Sequence, residues 1–383
     1  MADIANASER AAAGHRQPAV DATRASAQQR WAAAPDRASA QPLLEVEDLR
    51  VDFSTYAGVV HAVRGASFSL SAGGSLAIVG ESGCGKSVTA KAVMGLVKEP
   101  GQIEAGSRIL FDGEDTSGFD AKRWQRYHGS DAAIVFQEAL SALDPTMRVG
   151  KQIAEPIWVH EKVSKKEALA RAIELLREVG IPEPEKRARQ FPHELSGGMR
   201  QRAMIASAIA CEPRLLVCDE PTTALDVSIQ DQILEMIRRI RDERGTAVIM
   251  ITHDMGVVAD IAQDIAVMYA GLVVERGRTA DVFERPRHPY TAALLAAMPE
   301  MGSASGGRLR SIPGAPPDLI NPPKGCPFAA RCAHAMPVCA AYRPAWTDFG
   351  AGHEAACWLH DPRAPQEAAT IQEGEVHGDG DNA

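Results

Sequence analysis

The sequence predicts an α/β fold built on a parallel sheet, and three observations carry that expectation. Short apolar runs of strand length, "SLAIVG", "AAIVFQ", "RLLVCDE" and "TAVIMITHD", are interleaved with helical stretches. Alternation of strand and helix calls for right-handed crossovers between parallel strands. A glycine-rich loop, "GESGCGKS" at 80–87, lies between one of these strands and a helix. A second apolar strand ends in the adjacent carboxylates Asp219 and Glu220, within "CDEPTTALD" at 218–226.

Taken in order, the chain opens with an Ala-, Ser-, Gln- and Arg-rich segment, 1–42, that holds almost no large apolar residues. Such a segment cannot bury enough surface to offset ordering entropy and is expected to be a disordered tail. Its acids Asp3, Glu9, Asp21 and Asp36 speak against a transit peptide. From "LLEVEDLRVDF" the pattern turns to alternating strands, and "VHAVRGASFSLSAG" reads as a hairpin-rich stretch ending in a Gly turn. "SLAIVG", the glycine loop and the helix "KSVTAKAVMGL" follow, then the strand "AAIVFQ". Helical periodicity dominates from about 139 to 212, where the amphipathic "KKEALARAIELLREVG" stops at Gly180. "RLLVCDE" and "TAVIMITHD" flank the helix "SIQDQILEMIRRIRDERG", and "IAVMYAGLVVERG" reads as a closing strand pair. A Gly/Ser linker, "MGSASGGRLRS", leads to a Cys-bearing segment and then to a tail from 361 with six acids and one Arg, expected to be disordered. The organisation expected is a tail (1–42), a main domain (43–300) with a helical part at about 139–200, an extension (301–360) and an acidic tail (361–383).

Composition bounds the function. A 45% hydrophobic and 24% charged chain of 383 residues supports a real core. A net charge of −9 argues against a nucleic-acid partner, which calls for a basic face. No apolar run is long enough to cross a membrane, and the N-terminus lacks a secretory pattern. The protein is therefore expected in the cytoplasm, and any work at a membrane requires docking onto something that spans it.

The chemistry is that of a phosphate site. "GESGCGKS" fits G-x-x-x-x-G-K-[ST] in the strand-to-helix context the motif needs. Gly80, Gly83 and Gly85 let backbone N–H groups turn inward on phosphate oxygens, and the helix N-terminus adds partial positive charge. Lys86 is the expected β/γ-phosphate partner, and the Ser87 hydroxyl an expected Mg²⁺ ligand. The phosphate-binding stretch is thus expected at Gly80, Glu81, Ser82, Gly83, Cys84, Gly85, Lys86, Ser87 and Val88. "LLVCDE" has the form of a Walker B strand, in which Asp219 is expected to hold Mg²⁺ through water and Glu220 to polarise the attacking water as general base.

"LSGGMRQR", residues 195–202, together with these two motifs, resembles the signature of ATP-binding cassette (ABC) ATPases, and the resemblance covers roughly 43–300. It implies a RecA-like parallel-sheet core, an antiparallel β subdomain and a helical subdomain. By the same resemblance Gln137 in "VFQE" is the Q-loop residue, catalytic and a Mg²⁺ contact. Asp226 in "TALD", rather than "SALD" at 141–144, is the D-loop residue. His253 in "ITHD" is the catalytic switch histidine, and Tyr56 is a candidate to stack on adenine, with Phe53 as its rival. Taken alone, Gln137 would be an ordinary strand end and His253 a satisfied polar group. The serine and glycines that open the helix "MRQRAMIASAIA" form a second anion site. The family answer is a head-to-tail dimer of cassettes in which Leu195, Ser196, Gly197, Gly198 and Met199 of one copy face the ATP of the other. The resemblance also implies two transmembrane permease subunits, an extracytoplasmic substrate-binding protein and a peripheral place on the cytoplasmic membrane face. A soluble non-transport ABC ATPase is the alternative of a different class.

"RPRHPYTAALLAAMP" (285–299) and "GCPFAARCAHAMPVC" resemble the C-terminal region of oligopeptide and dipeptide permease ATPases. From its residues alone the first stretch is only a turn into a short amphipathic helix. The resemblance suggests peptides as cargo, with nickel permeases as runner-up, and a pair of distinct cassettes. Cys326, Cys332, Cys339 and Cys357 are spaced unlike most structural zinc knuckles. Four thiolates suit an iron–sulfur cluster, and the resemblance points to [4Fe–4S]; zinc and unliganded thiols are the alternatives. His334, His353 and His360 are read as surface residues, Cys84 as a bystander, and Cys211 and Cys218 as small buried apolar residues.

Overall fold

A computed structural model describes residues 42–223, 225–298 and 312–365; the expected N-terminal tail, the Gly/Ser linker and most of the acidic tail lie outside them. Strands β1 (Leu44–Thr55) and β2 (Gly58–Leu70) pair antiparallel. β1 buries Leu44 and Val46, then Leu49 and Val51, so its inward phase shifts by one residue. Asp48, at φ 43°, absorbs the extra residue as a bulge. The stretch expected to hold hairpins is instead the one strand β2. Its Gly65, at φ 125°, does not turn the chain but lies against that bulge, where a Cβ would come within 2.7 Å of the Asp48 carboxylate. The turn lies one step earlier, at Tyr56 and Ala57, closed by the Thr55 hydroxyl donating to the Gly58 carbonyl at 2.6 Å.

β3 (Ser75–Val79) leads into the glycine loop and the helix Lys86–Val93. β4 (Gly101–Ile103), β5 (Arg108–Phe111) and β6 (Glu114–Asp115) complete the antiparallel sheet with β1 and β2. β7 (Ala132–Val135), β8 (Leu215–Asp219), β9 (Ala247–Thr252), β10 (Asp264–Tyr269), β11 (Leu272–Arg278), β12 (Trp346–Asp348) and β13 (Glu354–Ala356) join β3 in a second sheet, ordered β12-β13-β11-β10-β3-β9-β8-β7. The four neighbouring pairs from β10 to β7 are parallel. Every residue of β3, β8 and β9 is buried, the continuous apolar run of a parallel strand covered on both faces.

Helices Val149–Glu161, Lys165–Glu178 and Gly197–Ala208 pack on one another through Ile153, Ile157, Ala172, Leu176 and Ile205. The second starts at Ser164, whose hydroxyl accepts from the Glu167 N–H at 3.2 Å, and stops before left-handed Gly180, where the sequence places its end. β10 and β11 form the expected strand pair. Strands from the Cys-bearing segment continue the same sheet, because β13 pairs with β11. The helix Pro289–Ala296 buries its first turn, Pro289, Tyr290 and Thr291, rather than showing the expected lengthwise apolar stripe.

Candidate functional site

The glycine loop leaves the carboxyl end of β3 and closes on the backbone of its neighbours. At Gly80 (φ 155°) a Cβ would stand 2.1 Å from the Met268 carbonyl oxygen, and at Gly85 (φ 105°) 2.4 Å from that of Ala62, so neither position has room for a side chain. Lys86 is buried and folds back, its ammonium donating to the carbonyls of Gly80 (2.7 Å) and Glu81 (3.1 Å). The Ser87 hydroxyl donates to Asp219 Oδ1 at 2.8 Å. Burial pushes the Asp219 carboxyl above its usual range, and the charge of Glu220 adds to this, while the Ser87 hydrogen bond and Lys91 and Lys86 oppose it. A divalent cation at that point relieves this penalty. The pair therefore fits Mg²⁺: one hydroxyl and one carboxylate, both hard oxygens.

Glu220 collects the other motif residues. Its Oε2 accepts from Gln137 Nε2 at 3.0 Å and from the Thr223 hydroxyl at 2.9 Å, and its Oε1 lies 3.3 Å from His253 Nδ1. Gln137 follows β7, Asp219 ends β8, His253 follows β9 and the glycine loop follows β3, so all stand at the carboxyl ends of four adjacent parallel strands. That end of an open α/β sheet is where ligands bind. Glu220 itself is at φ 47°, pinned by its N–H to the Ile251 carbonyl at 2.9 Å. A left-handed non-glycine residue costs on the order of 1 kcal/mol or more and is found where function over-determines it. Thr223, in contact with Glu220, was not singled out by its sequence; only its place after a Walker B strand signals it.

Tyr56 is fully exposed in the β1–β2 turn, while Phe53 packs its ring against Gly101. Ser196 caps the helix Gly197–Ala208, accepting a long 3.4 Å bond from the Met199 N–H; Leu195 is buried below it and Gly198 packs near Ile229. Asp226 precedes the helix Val227–Arg244 and makes no side-chain cap. Among the described residues no hydrogen bond joins Ser196, Gly197, Gly198 or Asp226 to the glycine loop, so this chain does not bring its own second anion site to its first.

Cys326, Cys339 and Cys357 are buried and Cys332 is half-buried. Burial pushes the thiols of Cys326 to about 11 and of Cys357 to about 12, and raises that of Cys332. The charges of neighbouring Cys sulfurs add to the rise at Cys326, Cys332 and Cys357. Backbone N–H groups of Phe328, His334 and Leu359 point at Cys326, Cys332 and Cys357, and that of Met336 donates to Cys339 Sγ at 3.4 Å. Hydrogen bonds to sulfur are how a protein supports bound thiolate. The four do not converge as on a single ion: among the described residues the one group of three or more ligand atoms mutually within 4.8 Å is Asp52, His61 and Glu104. Thiolates on tetrahedral zinc stand about 4 Å apart.

Several sequence readings change. His353 is not a surface residue: it is buried, its Nε2 2.8 Å from the carboxylate of fully buried Glu275, because β13 covers β11 there. His334 and His360 are half-buried, and His360 Nε2 lies 2.6 Å from the Arg287 carbonyl. Cys218 is fully buried, but Cys211 is only half-buried.

The family described as "ABC transporter" matches residues 63–223, and the one described as "Oligopeptide/dipeptide transporter, C-terminal region" matches 274–339. The chain is 51% identical over 324 residues to the oligopeptide transport ATP-binding protein OppD of Bacillus subtilis (strain 168), covering 85% of this chain and 90% of the relative. It is 49% identical over 327 residues to the dipeptide transport ATP-binding protein DppD of Lactococcus lactis subsp. cremoris (strain MG1363), covering 85% and 93%. Among solved structures it superposes on cbiO1 from Clostridium perfringens, part of the ABC transporter complex cbiONQ, at TM-score 0.54 and 29% identity, over 64% of this chain and 91% of that one. The dimeric cassette MJ0796 in a post-hydrolysis state with ADP and Pi shares the fold at TM-score 0.56 and 24% identity, over 62% and 98%.

Proposed function

The chain belongs to the ABC transporter family, among the ATP-binding proteins of oligopeptide and dipeptide transport, and from that premise we propose that it hydrolyses ATP to power peptide import. The observation that carries the reading is Glu220: one carboxylate held by Gln137, Thr223 and His253 beside the Ser87–Asp219 pair.

Roles follow from the placement. Gly80 to Val88 cradle the phosphates, and Lys86 moves its ammonium from two loop carbonyls to phosphate oxygens. Exchange of neutral acceptors for charged ones favours the bound state. Ser87 and Asp219, with Gln137 beside Glu220, would hold Mg²⁺, which would supply positive charge to offset that of the phosphates. Glu220 takes the proton of the attacking water, His253 steadies the reacting phosphate, and exposed Tyr56 stacks on the base. Leu195, Ser196, Gly197, Gly198, Met199 and Asp226 complete the site of a second cassette arranged head to tail; the exposure of Ser196 and Asp226 supports this. That second cassette is a different chain in our reading. The pair acts with two membrane permease subunits and an external binding protein, on the inner face of the membrane. No helix among the described residues is long and apolar enough to cross one. Cys326, Cys332, Cys339 and Cys357 would hold a [4Fe–4S] cluster with a structural or regulatory role, since ATP hydrolysis needs no electron transfer. We read 43–300 as the nucleotide-binding domain, its helical part at 139–200, followed by the extension at 301–360.

The test is uptake of labelled di- to pentapeptides by cells carrying this chain or its Glu220→Gln form, with partner genes present. Uptake lost with Glu220→Gln supports peptide import powered here. Equal uptake removes peptides as cargo, and nickel uptake is then measured in the same cells.

A further inference from the structure

The C-terminal segment reaches the glycine loop, and the contact falls on one residue, Glu81. The Glu81 backbone N–H donates to the Tyr290 hydroxyl at 2.9 Å. Its carboxylate receives a two-pronged clasp from Arg331: Nη1 to Oε2 at 2.6 Å and Nη2 to Oε1 at 2.9 Å. The Arg331 side chain is only 5% exposed. Its remaining donors go to the Tyr269 hydroxyl (3.0 Å), the Pro313 carbonyl (2.8 Å) and the Ile312 carbonyl (3.1 Å). A guanidinium carries five N–H groups, and here each has an acceptor. Bidentate arginine on carboxylate is the strong form of this pair, and breaking one partner of a buried pair is costly.

Tyr290 is itself placed by a chain of bonds. Glu275, fully buried, accepts from the N–H groups of Arg287 (2.7 Å) and His288 (2.9 Å), and His288 Nδ1 accepts from the Tyr290 N–H at 3.1 Å. Arg331 ends the 3-10 turn Ala329–Arg331, between Cys326 and Cys332. Two separate parts of the C-terminal region thus converge on the second residue of the loop. Pro316, Pro317 and Leu319 of the same segment share a cleft with Glu81, Ser82, Gly83 and Cys84.

We propose that Arg331 is a positioning residue for nucleotide binding: it fixes and neutralises the Glu81 carboxylate at the phosphate loop, with Tyr290 holding the adjoining backbone. The inference rests on the reading of residues 80–88 as the ATP site. Two consequences act in one direction. Glu81 also supplies a carbonyl that seats Lys86, so the clasp sets where the Lys86 charge stands. An unpaired carboxylate at Glu81 would repel the incoming triphosphate.

The experiment is equilibrium binding of ATP and the steady-state rate of its hydrolysis, on the full chain. Arg331→Gln is expected to weaken ATP binding and raise KM about tenfold, with kcat within twofold, because Glu220 and His253 are untouched. Arg331→Gln with Glu81→Gln is expected to recover affinity to within about threefold of wild type, since no unpaired carboxylate remains and Glu81 serves the loop through its backbone N–H and carbonyl, which the substitution keeps. A role in folding alone would lower thermal stability without this rescue or this split between KM and kcat. Wild-type affinity in Arg331→Gln, or a double variant no better than the single, overturns the proposal. Should Arg331→Gln not fold, Tyr290→Phe carries the test: it removes one hydroxyl and is expected to weaken ATP severalfold, and unchanged affinity overturns the proposal. Failure of the wild-type chain to bind ATP would instead overturn the ATP-site reading.

Discussion

Replacement of Glu220 by Gln separates chemistry from scaffolding at this site. The carboxamide oxygen can still accept from Gln137 Nε2 and the Thr223 hydroxyl, which now share Glu220 Oε2 at 3.0 and 2.9 Å. The new NH₂ then takes the position of Oε1 and donates to His253 Nδ1, which lies 3.3 Å away and accepts in its other tautomer. The strained backbone and its bond to Ile251 are unchanged. Stability should therefore move by only about 0.5 kcal/mol, the scale of a substitution that removes no buried partner. What is lost is proton affinity: a positioned general base contributes about 10²–10⁴ in rate, or roughly 3–5 kcal/mol of barrier. The assay is single-turnover release of phosphate from saturating Mg-ATP, beside equilibrium ATP binding. Hydrolysis should fall 10²–10⁴-fold while affinity stays within about threefold. A fall below tenfold would refute the role of Glu220 as base, and a parallel loss of ATP affinity would show that it acts through binding.

Three further outcomes follow from the geometry. Gly80→Ala places a Cβ 2.1 Å from the Met268 carbonyl, so the loop must shift; ATP binding should disappear in isothermal titration, and retained binding would show that the loop relaxes freely. Burial pushes His288 down to about 3, so the folded protein keeps it neutral. Below an unfolded pKa of about 6.5 the unfolded chain binds a proton that the folded one does not, so stability is full above that pH and falls by about 1.4 kcal/mol per unit toward pH 3. Urea unfolding at pH 7 and pH 5 should show a term of about 2 kcal/mol that is absent in His288→Asn, which keeps an acceptor for the Tyr290 N–H; equal slopes in both proteins would count against it. Cys84 lies inside the phosphate loop but is buried, and burial raises its thiol. Iodoacetamide at pH 7 should leave ATP binding intact over an hour; rapid loss prevented by Cys84→Ala would show that the loop opens.

The antiparallel strand β2 and the buried His353 show where pattern reading stops. Gly65 has the composition of a turn, yet its positive φ serves a bulge whose other half, Asp48, is in a different strand. His353 has the polarity of a surface residue, yet a carboxylate from β11 pairs with it once β13 is in register. Both depend on a partner far along the chain, which periodicity cannot name. The glycine loop, the Walker B strand and the helix ending at Gly180 are different in kind. Their physics is local: positive φ at glycine, an apolar run meeting carboxylates, an amphipathic run stopping at a glycine.

The amino-acid sequence by itself therefore determined the α/β class, the glycine loop between strand and helix and the carboxylate pair ending an apolar strand, because each is a short-range pattern, whereas Gln137 and His253 were legible only through the family resemblance. Only the tertiary structure decided that Gln137, Thr223 and His253 meet on Glu220, since parallel strand order alone brings four distant loops to one edge. It alone decided that the C-terminal segment joins the same sheet and sets Arg331 and Tyr290 on Glu81. Arg331 and Glu81 are 250 positions apart, and a salt bridge across that distance leaves no periodic trace in either stretch of sequence.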